Sequence, residues 1–421
     1  MIAAATQFPR NAENAVAVAY SGGRDSTALL HATLSVAAPL GVQVFALHVH
    51  HGLSPHADAW LAHCAELCAR WARRGLPVTF AAEHLVHQAT PGQSIEAWAR
   101  EQRYRALRTL ARARGIGLVL LAHHRLDQAE TFLLQALRGA GVAGLAAMPR
   151  IALREGIAWA RPWLNQPREV IESYVRSHRL RFIEDDSNDD PHYARNRLRL
   201  EAWPAFTHAF PQAQVALAQC AQWAHEAQEC LTDLAALDLA GVATQGGLST
   251  SAWKSLSPAR RSNVLRAWLR RETGRGAAAS LVSRLLAELP AARSARWACH
   301  DGVLRHYRGV LSYRCPEAPQ DEARREPLLS VRRCGVYRLP GWAGRVRVRR
   351  TTHAGVPLAW LGQLELRARS GGEQFQAGPG RPPRSLKKQY QAARVPPWCR
   401  TGPLFFSGGQ LVFAPGLGVD A

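Results

Sequence analysis

A turn rich in glycine and serine, residues 21–26, separates two apolar segments near the start of the chain. The segment before it predicts a buried strand, and the segment after it repeats apolar residues at helical spacing. The first backbone N–H groups of a helix, together with its dipole, attract an anion to such a junction. Gly22 and Gly23 allow the anion a close approach, and Ser21 and Ser26 add hydroxyl groups. The turn therefore predicts a phosphate cradle, although the chain has no Gly-Lys-Ser/Thr and so lacks the lysine of the common P-loop.

A second segment, residues 123–131, carries two carboxylates beside two histidines. It follows a predicted strand and opens a predicted helix, on which Asp127, Glu130 and Thr131 share one face at i, i+3 and i+4. Such a face suits a Mg²⁺ ion or a cationic substrate at the mouth of a sheet. The alternative is that these acids only complement the helix dipole.

Four predicted strands alternate with helices over the first third of the chain, which indicates a parallel sheet covered by helices on both faces. The carboxyl ends of such strands form a ligand-binding crevice. The segments around Ser21, His50 and His124 all follow predicted strands, so one shared site is expected. The strands are predicted at 15–20, 43–50, 78–83 and 118–122, and the helices at 26–38, 55–74, 94–114 and 127–138.

The chain is predicted to contain three domains. The α/β domain covers residues 1–211 and a helical middle domain covers 212–315, with a candidate hairpin at 296–314. Residues 315–322, polar and rich in proline, predict a linker. The remainder, 326–421, is expected to be a small, mostly β domain with one basic helix near 385–393.

The composition indicates a polyanionic partner. The net charge is +21, and residues 331–421 contain 15 Lys and Arg against 3 Asp and Glu. Nucleic acid is favoured over a membrane surface, because no broad apolar face accompanies the charge. No apolar run is long enough to span a bilayer, no signal peptide is evident, and the eight cysteines include no Cys-x-x-Cys. A cytoplasmic protein with reduced thiols is expected.

The sequence Ser21-Gly22-Gly23-Arg24-Asp25-Ser26 resembles the PP-loop of the ATP pyrophosphatase superfamily. These enzymes cleave ATP between the α- and β-phosphates and activate an oxygen as an adenylate. The alternative is a glycine turn that binds no ligand. This alternative fits poorly, because this combination of residues stands at a strand-to-helix junction.

Further segments resemble one family, the tRNA(Ile)-lysidine synthases. Around the second segment, His124, Asp127, Gln128, Glu130 and Thr131 match the family motif, whereas Leu126 replaces the first of its two acids. Other segments that resemble the family in order are 48–53, 96–104, 138–141, 185–188, 195–199, 386–388 and 395–398.

The resemblance implies a ligase that joins free L-lysine to C2 of the wobble cytidine in an isoleucine tRNA with a CAU anticodon. ATP would first adenylate the cytidine, with Mg²⁺ as the expected cofactor. A homodimer is left open, and no metal ligand is assigned because of Leu126.

The same resemblance, carried over residue by residue, gives three groups of site residues. The expected catalytic residues are Asp25, Asp127, Glu130 and Arg195. The expected ATP-binding residues are Ser21, Gly22, Gly23, Arg24, Asp25, Ser26 and His48. The expected contacts to the substrate or the tRNA are His124, Arg100, Arg103, Arg199, Lys387, Lys388 and Trp398.

Two other functions remain open at this point. One is another PP-loop enzyme that modifies tRNA, such as a thiolase, which commonly carries Cys-x-x-Cys. The other is a non-catalytic RNA-binding protein with a vestigial ATP fold. Individual assignments also have plainer alternatives: Arg100 and Arg103 could belong to a surface salt-bridge ladder, and Lys387 and Lys388 could be a solvated surface.

Overall fold

A computed structural model describes residues 14–52, 54–85, 95–184, 190–314, 328–342, 344–352, 355–400 and 402–420, with side chains described from residue 98 in the segment that begins at 95. The chain divides into two compact units, residues 1–233 and 234–421. The boundaries of the three predicted domains stay a prediction. The predicted linker, the acidic segment 185–188 and the side chain of Glu96 lie outside the described residues.

The first unit alternates strands and helices as predicted. Its strands are β1 Ala15–Ala19, β2 Gln43–His50, β3 Val78–His84, β4 Leu118–Leu120, β5 Ile151–Arg154 and β6 Ile157–Ala160. Its helices are α1 Arg24–Ala37, α2 Ala57–Arg73, α3 Ile95–Arg112, α4 Arg125–Leu137, α5 Val142–Leu145, α6 Arg168–Ser177, α7 Ala194–Arg197 and α8 Trp203–Ala209. A 3-10 turn covers Ala38–Leu40, and a π-helical turn covers Leu198–Ala202. A 30-residue helix, α9, covers Ala213–Val242.

The six strands form one sheet in the order β3-β2-β1-β4-β6-β5. All neighbouring pairs are parallel except β5 and β6, which form an antiparallel hairpin at one edge. The sequence analysis did not predict this hairpin. Because β1 lies between β2 and β4, the turns that follow these strands meet at one edge of the sheet, as the shared site requires.

Alternate residues of β1 pack into two different cores. Val16 and Val18 face α1 and α2, where they contact a cluster that includes Leu30 and Trp71. Ala17 faces the opposite side, in a cluster that includes residues of α3. Strands of a parallel sheet are apolar on both faces because helices cover both, and this accounts for the unbroken apolar run 15–19.

The described residues of the second unit form helices and four sheets. Its helices are α10 Thr250–Ser255, α11 Pro258–Thr273, α12 Ala279–Glu288 and α13 Leu386–Ala392, with 3-10 turns at Leu358–Leu361 and Pro397–Cys399. Its strands are β7 Ala243–Thr244, β8 Gly247–Ser249, β9 Ser294–Cys299, β10 Gly302–Tyr307, β11 Val310–Arg314, β12 Leu328–Leu329, β13 Gly335–Arg338, β14 Arg345–Val348, β15 Leu364–Arg367, β16 Gln374–Phe375, β17 Arg384–Ser385, β18 Leu404–Ser407, β19 Gln410–Ala414 and β20 Gly418–Val419.

The predicted helices of the middle region are present, and they pack against an antiparallel sheet in the order β7-β8-β11-β10-β9. Where the sequence predicted a hairpin at 296–314, the structure has three antiparallel strands, β9, β10 and β11, with β10 in the middle. Trp253 and Trp268 are buried in the core between the helices and the sheet. The C-terminal region is β-rich, as predicted, with a sheet in the order β12-β15-β18-β19-β20 and the basic helix α13. Across the part of the chain that is described, no helix has the length and apolar character needed to cross a membrane.

Candidate active site

The loop between β1 and α1 has the tight geometry of an anion cradle. The hydroxyl oxygens of Ser21 and Ser26 lie 3.0 Å apart, and the Ser26 hydroxyl donates to the Gly23 carbonyl at 3.0 Å. The backbone N–H groups of Ser21 and Gly23 donate to Ser26 Oγ and Ser21 Oγ, each at 3.3 Å. The serines therefore hold the loop to the start of α1, in addition to lining it.

Gly22 is the residue of the loop that tolerates no side chain. Its φ is +88°, and a Cβ would lie 2.5 Å from Ile183 Cδ1 and 2.6 Å from Cys64 Sγ. The Ile183 N–H donates to the Gly22 carbonyl at 2.9 Å. Ile183, which follows α6, thereby forms a parallel β-bridge with the loop at Gly23. Both the positive φ and the close approach require glycine.

Asp25 and Asp127 lie on opposite sides of the buried His124 imidazole. His124 Nε2 is 3.7 Å from Asp25 Oδ2, and His124 Nδ1 is 3.5 Å from Asp127 Oδ2. Asp127 also accepts the His124 backbone N–H at 3.0 Å, which fixes the first turn of α4. Burial raises the pKa of the Asp25 carboxyl, but the contact with His124 and the charges of His124 and Arg24 more than offset it, so the pKa is lowered.

Glu130 is fully buried and paired with two arginines from the segment after α6. Arg199 donates to both carboxylate oxygens, at 2.8 and 2.9 Å. Arg195 Nε lies 3.6 Å from Glu130 Oε2 and its NH2 donates to Thr131 at 2.7 Å. Burial lowers the pKa of Arg199, but the bonds and charges of Glu130, Asp127 and Asp25 raise it on balance. This pairing favours a positioning role for Glu130, whereas the motif alone suggested contact with substrate.

Two of the residues expected at ATP are held by neighbouring groups. His48 is buried, and its Nδ1–H donates to the Tyr20 carbonyl at 2.9 Å, which leaves Nε2 as an acceptor. Burial also lowers the pKa of His48, so the ring is neutral near pH 7. The Arg24 guanidinium donates to Asp25 at 3.3 Å and to Glu172 at 2.8 Å. The hydrogen bond to Glu172, a residue that sequence reasoning missed, therefore directs the Arg24 side chain toward α6.

Leu126, the departure from the family motif, lies in the core. Its side chain is buried against Ala129 and Trp203. Among the described residues there is no group of three or more His, Cys, Asp or Glu side chains arranged to hold a metal. Of the described carboxylates near the cradle, Asp25 is 30% exposed and Asp127 is 14% exposed.

The remaining expected contacts are basic and aromatic side chains on α3 and in the second unit. Arg100 stacks over the Tyr104 ring at 5.4 Å, and Arg103 is half-buried beside it. Lys387 and Lys388 are exposed on α13 in the second unit. In that same unit Trp398 lies against the Tyr307 ring at 5.7 Å and under the Arg305 guanidinium at 5.4 Å.

Family models match three parts of the chain. A family model for the PP-loop domain matches residues 2–206, one for the TilS substrate binding domain matches 248–312, and one for the TilS substrate C-terminal domain matches 364–421. The tRNA(Ile)-lysidine synthase of Burkholderia mallei (strain ATCC 23344) is 41% identical over 96% of this chain and 89% of its own length. The chain belongs to the tRNA(Ile)-lysidine synthase family. The lysidine synthases of Ralstonia nicotianae and Nitrosomonas europaea are 40% and 36% identical over 96% of the chain, covering 89% and 87% of their own lengths.

Within this lysidine synthase family member, the PP-loop match contains the whole Asp25–His124–Asp127 arrangement together with Arg195 and Arg199. The C-terminal match contains Lys387, Lys388 and Trp398. A solved U34-tRNA thiolase from Methanococcus maripaludis shares 12% identity over 52% of this chain and 75% of its own, at a TM-score of 0.43.

Proposed function

We propose that this site forms lysidine, the activity that names the family, by adenylating the wobble cytidine of an isoleucine tRNA and then replacing AMP with lysine. The observation that carries the proposal is the linkage of the PP-loop to α4 through Asp25, His124 and Asp127. This linkage supports the proposal, because the expected phosphate cradle and two carboxylates lie at the carboxyl ends of neighbouring strands, where ligands of such sheets bind.

The cradle would hold the phosphates of ATP during the first step. The C2 carbonyl oxygen of the cytidine attacks the α-phosphorus, the bond between the α-phosphorus and the bridging oxygen breaks, and pyrophosphate leaves with the negative charge. Backbone N–H groups at the start of α1 are fixed before the reaction, so they stabilise the developing charge without reorganising. The Ser21–Ser26 contact keeps the loop in that conformation.

The carboxylates near the cradle suit Mg²⁺. This ion usually binds through one or two carboxylates, phosphate oxygens and water, and Asp25 offers a partly exposed carboxylate with a lowered pKa. When bound, Mg²⁺ would neutralise charge on the phosphates. Asp25 itself would keep its ionised form and orient the loop through Arg24 and His124.

Asp127 is the residue we assign to the lysine. In the second step the ε-ammonium first loses a proton to become an amine, and a carboxylate can hold the ammonium and accept that proton. The amine then attacks C2, the bond from C2 to the adenylated oxygen breaks, AMP leaves, and the new nitrogen loses its second proton to water. Asp127 Oδ1 lies 3.6 Å from Arg199, whereas Glu130 is fully paired and buried, so Glu130 and Arg199 would orient Asp127.

The second unit would hold the tRNA. Lys387 and Lys388 expose their charge on α13, and Trp398 presents an aromatic face beside Arg305. Basic and aromatic groups in combination bind phosphates and unstacked bases. We propose that the protein acts in the cytoplasm, where its tRNA is found, and that a homodimer is its candidate assembly.

The experiment mixes purified protein with isoleucine tRNA carrying a CAU anticodon, ATP, Mg²⁺ and labelled lysine. Stable incorporation of lysine, with one AMP and one pyrophosphate released per lysine, is expected. A tRNA whose wobble position is uridine is the matched control and should remain unlabelled. Folded protein that releases pyrophosphate without incorporating lysine would overturn the proposal and favour another PP-loop chemistry. Folded protein that binds the tRNA but releases no pyrophosphate would favour the non-catalytic alternative.

A further inference from the structure

An ion pair between Arg24 and Glu172 joins the first turn of α1 to α6. Arg24 Nη1 donates to Glu172 Oε1 at 2.8 Å, and Arg24 Nε donates to Asp25 Oδ1 at 3.3 Å. One guanidinium therefore contacts two carboxylates, one on each helix. Arg168 Nε lies 3.2 Å from the same Glu172 oxygen, so the Glu172 carboxylate lies between two guanidinium groups.

The position of Glu172 is fixed by the packing of α6 against α1. Ile171 and Val175, which flank Glu172 on α6, are buried in a cluster with Ala28 of α1. The Glu172 side chain is 31% exposed and that of Arg24 is 22% exposed, so the pair lies at the margin of this core. Glu172 is therefore a fixed partner, whereas the long side chain of Arg24 could turn to another anion if Glu172 were lost.

Arg24 carries its positive charge at a helix end that disfavours it. It is the first residue of α1, and the dipole of a helix favours negative charge at the N-terminus. Asp25 and Glu172 supply negative charge there. The phosphates of ATP would bring more negative charge to the same helix end, and a guanidinium matches a phosphate as well as it matches a carboxylate. A bound polyphosphate therefore competes with Glu172 for Arg24.

We propose that Glu172 is a positioning residue, which holds the Arg24 guanidinium on Asp25 and keeps it from pairing with ATP or pyrophosphate. The phosphates are then bound mainly by the backbone N–H groups of the cradle. A guanidinium that paired equally with substrate and product would tighten the binding of both without speeding the reaction. It would also slow the departure of pyrophosphate, and product release limits the rate of many enzymes. This inference rests on the proposed function.

The test measures the steady-state incorporation of labelled lysine by the wild type and by Glu172→Gln, with ATP varied and with pyrophosphate added as an inhibitor. The variant frees Arg24, so the KM for ATP and the inhibition constant of pyrophosphate should both fall about 3- to 10-fold, the gain from one partly exposed charged hydrogen bond. Its kcat should fall as well, because pyrophosphate leaves more slowly. A merely structural loss would lower kcat or raise the KM, and would not lower both constants together.

A second comparison shows whether Glu172 acts through Arg24. In an Arg24→Gln background, Glu172→Gln should change neither constant further, because the side chain that it positions is already gone. Glu169→Gln, an exposed carboxylate on α6, removes the same charge and is the matched control, which should keep the wild-type constants.

Two results would overturn the inference. One is an unchanged or higher KM for ATP and inhibition constant of pyrophosphate in folded Glu172→Gln. The other is an equal effect of Glu172→Gln with and without Arg24, which would mean that Glu172 acts by itself. If Glu172→Gln does not fold, Glu172→Asp draws the carboxylate back from the guanidinium and gives the same comparison with smaller changes. Failure of the proposed function looks different, since the folded wild type would then incorporate no lysine at all.

Discussion

The imidazole of His124 lies 3.7 Å from the carboxylate of Asp25, and this contact joins the first turn of α1 to the segment that opens α4. The two residues are far apart in sequence and meet because β1 and β4 are neighbours in the sheet. His124 also contacts Asp127 on its other side, at 3.5 Å. The His124 side chain thus lies between Asp25 of the phosphate cradle and Asp127, the carboxylate that we assign to lysine.

Asp25→Asn should abolish the first chemical step. The amide has nearly the same shape but no negative charge. It therefore cannot offset the positive charge at Arg24 and His124 or help hold Mg²⁺. The rate of pyrophosphate release with tRNA and ATP should fall at least about 100-fold, as when a group that stabilises charge in the transition state is removed. Glu66→Gln, which changes an exposed carboxylate paired with Arg70 on α2, is the control and should keep the wild-type rate. An unchanged rate for Asp25→Asn would remove Asp25 from the site.

Arg199→Gln should destabilise the first unit. It leaves the fully buried Glu130 carboxylate with only the longer Arg195 contact, and an uncompensated buried charge costs about 3–5 kcal/mol. Chemical denaturation would measure the free energy of unfolding.

The matched variant is Glu130→Gln combined with Arg199→Gln, which removes both charges. It should lose clearly less stability than Arg199→Gln alone, because no charge is then buried without a partner. Equal losses in the two proteins would mean that Glu130 is not ionised in the fold.

Sequence reasoning found the strands and helices whose apolar pattern is long and unbroken. The predicted bounds of β2, Gln43–His50, agree with the structure, because a strand covered on both faces contains an uninterrupted apolar run, here 44–47. The hairpin of β5 and β6 was missed. Its strands are four residues each, and β5 is an edge strand with mostly exposed side chains, so neither gives a periodic signal.

The residues of the site likewise include some that the sequence predicts and some that it does not. The PP-loop could be predicted because its function requires specific residues next to each other in the chain. The partners of Glu130 could not, since helical spacing identifies the face on which a residue lies but not the arginines, some 65–69 positions later, that cover that face.

Gly22→Ala should abolish pyrophosphate release and lower stability by more than the strain of a positive φ alone would. The new Cβ would meet Ile183 and Cys64 at 2.5 and 2.6 Å, in addition to adopting a φ of +88°. Gly75→Ala is the matched control, because Gly75 has a φ of +83° and no atom within 4 Å of a new Cβ. The control should lose about 1 kcal/mol of stability and keep its activity, whereas Gly22→Ala should lose about 2–4 kcal/mol and its pyrophosphate release. Equal effects would show that the clash is relieved by small shifts.

The thiols beneath the cradle should be unreactive in the folded protein. Burial raises the pKa of Cys64 and of Cys68 to about 12, so almost no thiolate is present at pH 8. Cys230 and Cys399 are exposed and serve as internal controls. Iodoacetamide followed by peptide mass analysis should label the exposed pair first and the buried pair only after denaturant is added. Labelling of Cys64 as fast as Cys230 would contradict the packing of Gly22 against its sulfur.

Lys387→Ala with Lys388→Ala should weaken tRNA binding and reduce its dependence on salt. Both side chains are exposed on α13, where they can displace counterions from phosphates. Losing two such contacts should lower the magnitude of the slope of log Kd against log salt by about 1.4–1.8, measured by filter binding over a salt series. Arg73→Ala with Arg74→Ala removes the same charge from an exposed helix end in the first unit and is the control for net charge. If both double variants change the slope equally, the effect is one of overall charge. If neither changes it, the lysine pair is a solvated surface, and the tRNA is held elsewhere.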